Sequence, residues 1–144
     1  MNGATVRVYI KAKDGQTRPY MSNGKRCTNF KVYEFACHDG SDPVFISPEL
    51  VTILQDLRTF YNAPLNVEDH SGFRTASHNA KPSVKGETYS QHLYGMAADF
   101  HVVGVPHKMV YDYLCKKYSS KYGIGLYSWG IHVDVRPTKS RWNG

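Results

Sequence analysis

Strict alternation in the last part of the chain narrows the possible folds more than any other feature. Between Trp129 and Arg136, one set of residues is Trp129, Ile131, Val133 and Val135, and the other is Gly130, His132, Asp134 and Arg136. Side chains along a strand point to opposite faces in turn, so the first set predicts an apolar face and the second a polar one. The segment Ala97–Val103 follows the same rule. Asp99 and His101 share one face there, and Ala98, Phe100 and Val102 share the other. A strand face that carries His and Asp needs water or a metal ion to satisfy it.

Two helices are predicted beside these strands. Ser47 stands as an N-cap, with Pro48 at the first helical position and Glu49 favourable in the first turn. Leu50, Ile53, Leu54, Leu57 and Tyr61 then fall on one helical face, and Pro64 lies just past the end. The second helix opens at Pro106. Met109, Val110, Tyr113 and Leu114 are expected inward, Lys108, Asp112, Lys116 and Lys117 outward, and Gly123 is expected to help stop it.

The chain has 144 residues, which fits a single domain over 1–144 whose motif-bearing part is 47–136 and whose first 46 residues read as irregular. Within 1–46, short strands are expected at Thr5–Lys11 and Phe30–Phe35, with turn signals at Asp14-Gly15 and Asn23-Gly24. Hydrophobic residues at 41% against 21% charged can bury a core and exclude a disordered chain. No run approaches the roughly 20 apolar residues of a membrane helix, so no membrane span is expected, and Met1–Ile10 lacks the apolar core of a signal peptide. Lys and Arg outnumber Asp and Glu by 18 to 12, a net charge of +6, which suits an anionic polymer or simply a soluble surface. The basic residues are scattered and not interleaved with stacking residues, so nucleic acid is not expected as a partner. Three cysteines without a C-x-x-C spacing, Cys27, Cys37 and Cys115, indicate neither a disulfide framework nor a thiolate zinc site.

The densest motif is Ser90-Gln91-His92-Leu93-Tyr94-Gly95-Met96-Ala97-Ala98-Asp99, in which His92 precedes Asp99 by seven residues. A turn delivering His92 to the head of the Asp99 strand fits this spacing, and Gly95, Ala97 and Ala98 let backbones pack closely. With His132 from a neighbouring strand the set becomes two imidazoles and one carboxylate. Hydrolytic zinc sites use such a set, three protein ligands with the fourth position left to water. Taken singly, a strand histidine is more often a hydrogen-bonded structural residue; the combination is what points to a metal.

These residues resemble the zinc D-Ala-D-Ala carboxypeptidases and related cell-wall peptidases, whose fold is shared with the hedgehog signalling domain. The pattern S-x-H-x-x-G-x-A-x-D is met by Ser90, His92, Gly95, Ala97 and Asp99. Ser71-Gly72-Phe73-Arg74-Thr75 is similar to the family's S-G-[YF]-R-[ST] segment, and Gly130–Arg136 to its C-terminal histidine strand. The resemblance implies that His92, Asp99 and His132 bind one zinc ion per chain and that Arg74 holds the substrate carbonyl or the oxyanion, where a fixed guanidinium stabilises developing charge. The implied function is zinc-dependent hydrolysis of peptide bonds in peptidoglycan stem peptides, by a carboxypeptidase or an endopeptidase. A phage or prophage lysis enzyme fits the missing export signal, as does a domain cut from a longer chain. The expected fold is α+β: a small antiparallel sheet carries the zinc site, helices from Ser47 and Pro106 pack behind it, and loops from Ser71 to Ser90 form one wall.

The sequence departs from the family at the general base. Relatives commonly carry a carboxylate or a second histidine two or three residues before the last zinc histidine, and here those positions are Gly130 and Trp129. Asp134 shares the face of His132 and either deprotonates the zinc-bound water or orients His132. His101 contacts substrate, supports a ligand, or is purely structural. Tyr89, Tyr94, Tyr127 and Trp129 flank the motifs and suit either packing or the aromatic wall of a sugar-peptide cleft. The alternative function is a zinc-containing binding module of the same fold with little or no catalysis. An iron oxygenase built on His132-Val133-Asp134 would need a distal histidine, and none follows Asp134. A cysteine peptidase lacks a well-placed thiol.

Overall fold

The computed structural model describes residues 7–9, 19–22, 25–31, 44–68 and 96–144. Its elements are β1 (Arg7–Tyr9), β2 (Pro19–Ser22), β3 (Lys25–Lys31), β4 (Val44–Ile46), α1 (Pro48–Tyr61), β5 (Leu65–Val67), β6 (Ala97–Val102), α2 (His107–Lys117), β7 (Gly123–Tyr127), β8 (Gly130–Asp134) and β9 (Ser140–Asn143). A five-stranded sheet in the order β5-β6-β8-β7-β9 forms the body, and two-stranded sheets pair β1 with β4 and β2 with β3.

α1 begins where its cap residues place it. Ser47 is extended at φ −72° and ψ 126°, its Oγ accepts from the Leu50 amide at 3.3 Å, and Pro48 opens the helix. The helix ends on Asn62 in the left-handed region, φ 48°, just before Pro64. Leu50, Ile53, Leu54 and Leu57 are each at most 1% exposed, and burying such a side chain stabilises the fold by about 1.5–3 kcal/mol.

Both helices lie on one face of the sheet. Val110 and Leu114 of α2 join Ala98, Phe100 and Val102 of β6, Ile124 of β7, and Ile131 and Val133 of β8 in the core around α1. The alternation read from the sequence is therefore the division between core face and opposite face. Three of the four pairings in the sheet are antiparallel, as expected. The fourth makes the sheet mixed, because β9 returns beside β7 in parallel.

Three local expectations need correction. Met109 is 54% exposed, since Val110 and Leu114 already fill the inward stripe of α2. Gly123 opens β7 and does not stop α2, which ends at Lys117. Trp129 lies in the β7–β8 turn, 44% exposed, and not on the apolar face of β8. The turn between α2 and β7 is held instead by Arg141 of β9. Its guanidinium donates to the carbonyls of Tyr118 (2.6 Å), Lys121 (3.0 Å) and Tyr122 (2.5 Å) while Tyr122 adopts a left-handed φ of 72°.

In the N-terminal part, β1 falls inside the strand expected at Thr5–Lys11, and Ser22 of β2 pairs with Lys25 of β3, while Asn23-Gly24 lies outside the described residues. β3 ends at Lys31 and overlaps only the start of the strand expected at Phe30–Phe35. Asp14-Gly15 lies outside the described residues.

Candidate active site

The face of the sheet turned away from the helices carries the polar residues. Register places Ala97 opposite Asp134 and Asp99 opposite His132, on β6 and β8. The Asp99 carboxylate meets Nδ1 of His132 at 2.8 Å, and Nε2 of the same ring meets the Asp134 carboxylate at 2.8 Å. One imidazole is thus held between two carboxylates, one from the neighbouring strand and one from its own.

Asp134 is completely buried and fully engaged. Besides His132 it accepts from Nε and Nη2 of Arg136, each at 2.7 Å, and from the backbone amides of Gly123 and Arg136, each at 3.2 Å. A guanidinium bound through two nitrogens is the strongest partner a carboxylate finds in a protein. The glycines of β7 make room for this. A Cβ at Gly123 would lie 2.4 Å from Oδ2 of Asp134, and a Cβ at Gly125 would lie 2.4 Å from Nε1 of Trp142. Trp142 of β9 consequently lies over Gly125, 5.2 Å from the His132 ring and 5.4 Å from the Arg136 guanidinium, and its Nε1 donates to the Tyr127 hydroxyl at 2.7 Å. Tyr127 stacks on Trp129 at 4.8 Å.

The charges follow from these contacts. Burial pushes the His132 imidazolium down, but the hydrogen bonds and charges of Asp134 and Asp99 outweigh it and hold the pKa up at about 9. Burial pushes the Asp134 carboxyl up, and His132 and Arg136 overcome that to hold it well below the usual carboxylate range.

Residues Asp99, His132 and Asp134 are brought together as expected, whereas His92 and Arg74 lie outside the described residues, as do Tyr89 and Tyr94. Among the described residues no group of three or more His, Cys, Asp or Glu side chains could hold an ion. The donors that are present suit zinc in kind, one imidazole nitrogen facing one carboxylate, and they require a third donor from elsewhere in the chain. Metal binding at Nδ1 must also displace its proton.

A protein-family model described as Peptidase M15 matches residues 27–134. The chain belongs to the peptidase M15 family. No curated protein and no solved structure matches the chain. M15 proteins are in general zinc-dependent peptidases, and the chain is a peptidase of that family with an α+β fold. The M15 match takes in Asp99, His132 and Asp134, and it also covers residues 27–46, ahead of the part expected to bear the motifs.

Three side chains of this M15 site were missed or left without a role. Arg136 stood on the polar face of the alternation, but nothing in the sequence says that its fork closes on Asp134. Trp142 reaches His132 only because β9 pairs in parallel with β7, a contact without local signal. Glu68, just beyond β5, donates its amide to the Asp99 carbonyl at 2.8 Å, and its carboxylate contacts Nδ1 of His101.

Proposed function

We propose that this M15 peptidase hydrolyses peptide bonds in the stem peptides of bacterial peptidoglycan, with one zinc ion per chain held by His92, Asp99 and His132. The observation that carries the reading is the meeting of Asp99 and His132 at 2.8 Å on adjacent strands, with the second nitrogen of His132 tied to a buried carboxylate. When bound, zinc supplies a Lewis acid that activates water and polarises the scissile carbonyl.

The chain's own residues do the rest. Asp134 accepts from Nε2–H of His132, which fixes the ring and turns Nδ1 toward Asp99. Of the two roles open to Asp134, orientation has the support, because its oxygens already accept from His132, Arg136 and the Gly123 amide and it has no exposure from which to exchange a proton with substrate. Arg136 keeps that carboxylate charged. Arg74 holds the substrate carbonyl and stabilises the negative charge that grows on its oxygen. The net charge of +6 suits an anionic cell wall, and a phage or prophage lysis enzyme is the setting in which such an activity would act. Both the terminal D-Ala-D-Ala bond and bonds further along the stem fit this arrangement.

Mass spectrometry of purified peptidoglycan and defined muropeptides after exposure to zinc-loaded protein tests the reading. New fragments are expected, absent with chelated protein and with His92→Ala, and their masses identify the bond. A second reading, a zinc-containing wall-binding module without turnover, is favoured by Gly130 and by the exposed turn position of Trp129, which leave β8 without an upstream base. Wall binding with one zinc per chain and no fragments would select it.

A further inference from the structure

We propose that His101, held by Glu68, contacts the bound peptide beside Asp99 and His132, in the place that the missing side chain at position 130 leaves open; this rests on the hydrolytic reading above. The β6–β8 register, Asp99 opposite His132 and Phe100 opposite Ile131, brings His101 opposite Gly130. A Cβ at Gly130 would lie 2.3 Å from the Phe100 carbonyl oxygen and 3.5 Å from the Cβ of His101. Close strand approach therefore excludes a side chain from β8 at this point. His101, from the neighbouring strand, stands over the same patch of the face.

The distances suit a substrate contact. Two residues along a strand separate His101 from Asp99 by roughly 6.7 Å, and diagonal neighbours such as His101 and His132 lie about 7–8 Å apart, within reach of one peptide unit bound between them. The ring is also oriented. A carboxylate only accepts, so Nδ1 of His101 carries the hydrogen that Glu68 takes, and in the neutral ring Nε2 is left with its lone pair. Glu68 itself is anchored, since its amide donates to the Asp99 carbonyl at 2.8 Å. The His107 ring lies edge-on 6.4 Å from that of His101 and closes one side.

Stability does not account for the pair. His101 and Glu68 are 32% and 34% exposed, and a hydrogen bond so open to water adds little to folding. Exposure of that degree, next to a buried and fully satisfied Asp134, leaves His101 within reach of an arriving peptide. Its Nε2 is set to accept an N–H from the peptide backbone, a contact that holds the chain in line over Asp99 and His132 and is indifferent to side-chain identity.

The test uses the zinc-loaded protein and the synthetic stem pentapeptide L-Ala-D-γ-Glu-L-Lys-D-Ala-D-Ala. Titrating the peptide while following the His101 Cε1–Hε1 resonance should shift it at saturation. His101→Ala should keep its zinc and weaken peptide affinity about five- to tenfold, the loss of one hydrogen bond. The effect should appear in KM more than in kcat, and His101→Gln, which keeps an acceptor, should recover part of it. Glu68→Gln should fall between. An unmoved His101 resonance, wild-type affinity in His101→Ala, or loss of zinc from that variant would each overturn the contact. A shifted resonance without cleavage of this peptide or of purified peptidoglycan would keep the contact and sink the hydrolytic reading instead.

Discussion

The two faces of the central strands are built on opposite principles. On the helix side, Ala98, Phe100, Ile131 and Val133 are completely buried, and their energetics are those of apolar packing. On the other side the same strands carry Asp99, His132 and Asp134, with Gly123 and Gly125 of β7 reduced to bare backbone beneath Asp134 and Trp142. The first face holds the sheet together. The second holds charges in place, and the ordering of each charge depends on its neighbour. The comparison teaches that a single strand can serve stability and chemistry at once, provided the two are kept on alternate residues.

The largest effects should come from cutting into each face separately. Asp134→Ala leaves a buried imidazole and a guanidinium without their shared carboxylate, so it should cost about 3–5 kcal/mol in urea unfolding of the ion-free protein. It should also weaken zinc binding about 10- to 100-fold by calorimetry. Phe100→Ala should cost a similar 3–5 kcal/mol and leave the zinc affinity of the folded protein unchanged. Equal losses of zinc affinity in the two variants would erase the distinction between the faces.

Next in size is the response to pH. The His132 pKa is raised in the folded chain to about 9, so its contribution is complete below the unfolded value near 6.5 and is lost as pH rises through about 9. Asp134 is shifted down, so its contribution is present above the unfolded value near 4 and is lost on acidification. Both shifts express one ion pair and count once, a few kcal/mol in total. Thermal melts of the chelated protein should therefore peak between about pH 4 and 6.5 and fall on both sides. Zinc should flatten the alkaline side, because the metal replaces the proton on Nδ1.

A smaller change sharpens the role of the bare strand. Gly125→Ala forces Trp142 off the sheet, an overpacking expected to cost about 1–3 kcal/mol. Displaced tryptophan fluorescence at intact secondary structure is the signature to look for. An unchanged spectrum would mean that β7 does not need its glycine there.

Much of this organisation was legible because it is local. The cap at Ser47, the apolar stripe of α1 and the alternation of β6 and β8 are written in consecutive residues, and with them came the placement of Asp99, His132 and Asp134 on one face. β7 was not legible, since Gly123 and Gly125 replace the polar half of its alternation and leave only Ile124 and Leu126 as a signal. β9 is short and polar, and its parallel pairing with β7 is fixed by tertiary contacts such as the Arg141 clamp. The same holds for Trp142 and Glu68 in the site, each of which acquires its role only from a partner on another strand, whereas Arg136 closes on Asp134 two residues back in its own segment. Trp129 fitted the apolar period and still lies in the turn, because the alternating pattern starts one residue before the strand.

X-ray absorption at the zinc edge of the loaded protein tests the central claim most directly. Scattering from two imidazoles and one carboxylate oxygen at roughly 2.0–2.2 Å, collapsing in His132→Ala and in Asp99→Ala, is the predicted result. A sulfur shell near about 2.3 Å would place the ion on Cys27, Cys37 or Cys115 and contradict a metal centre on the polar face of β6 and β8.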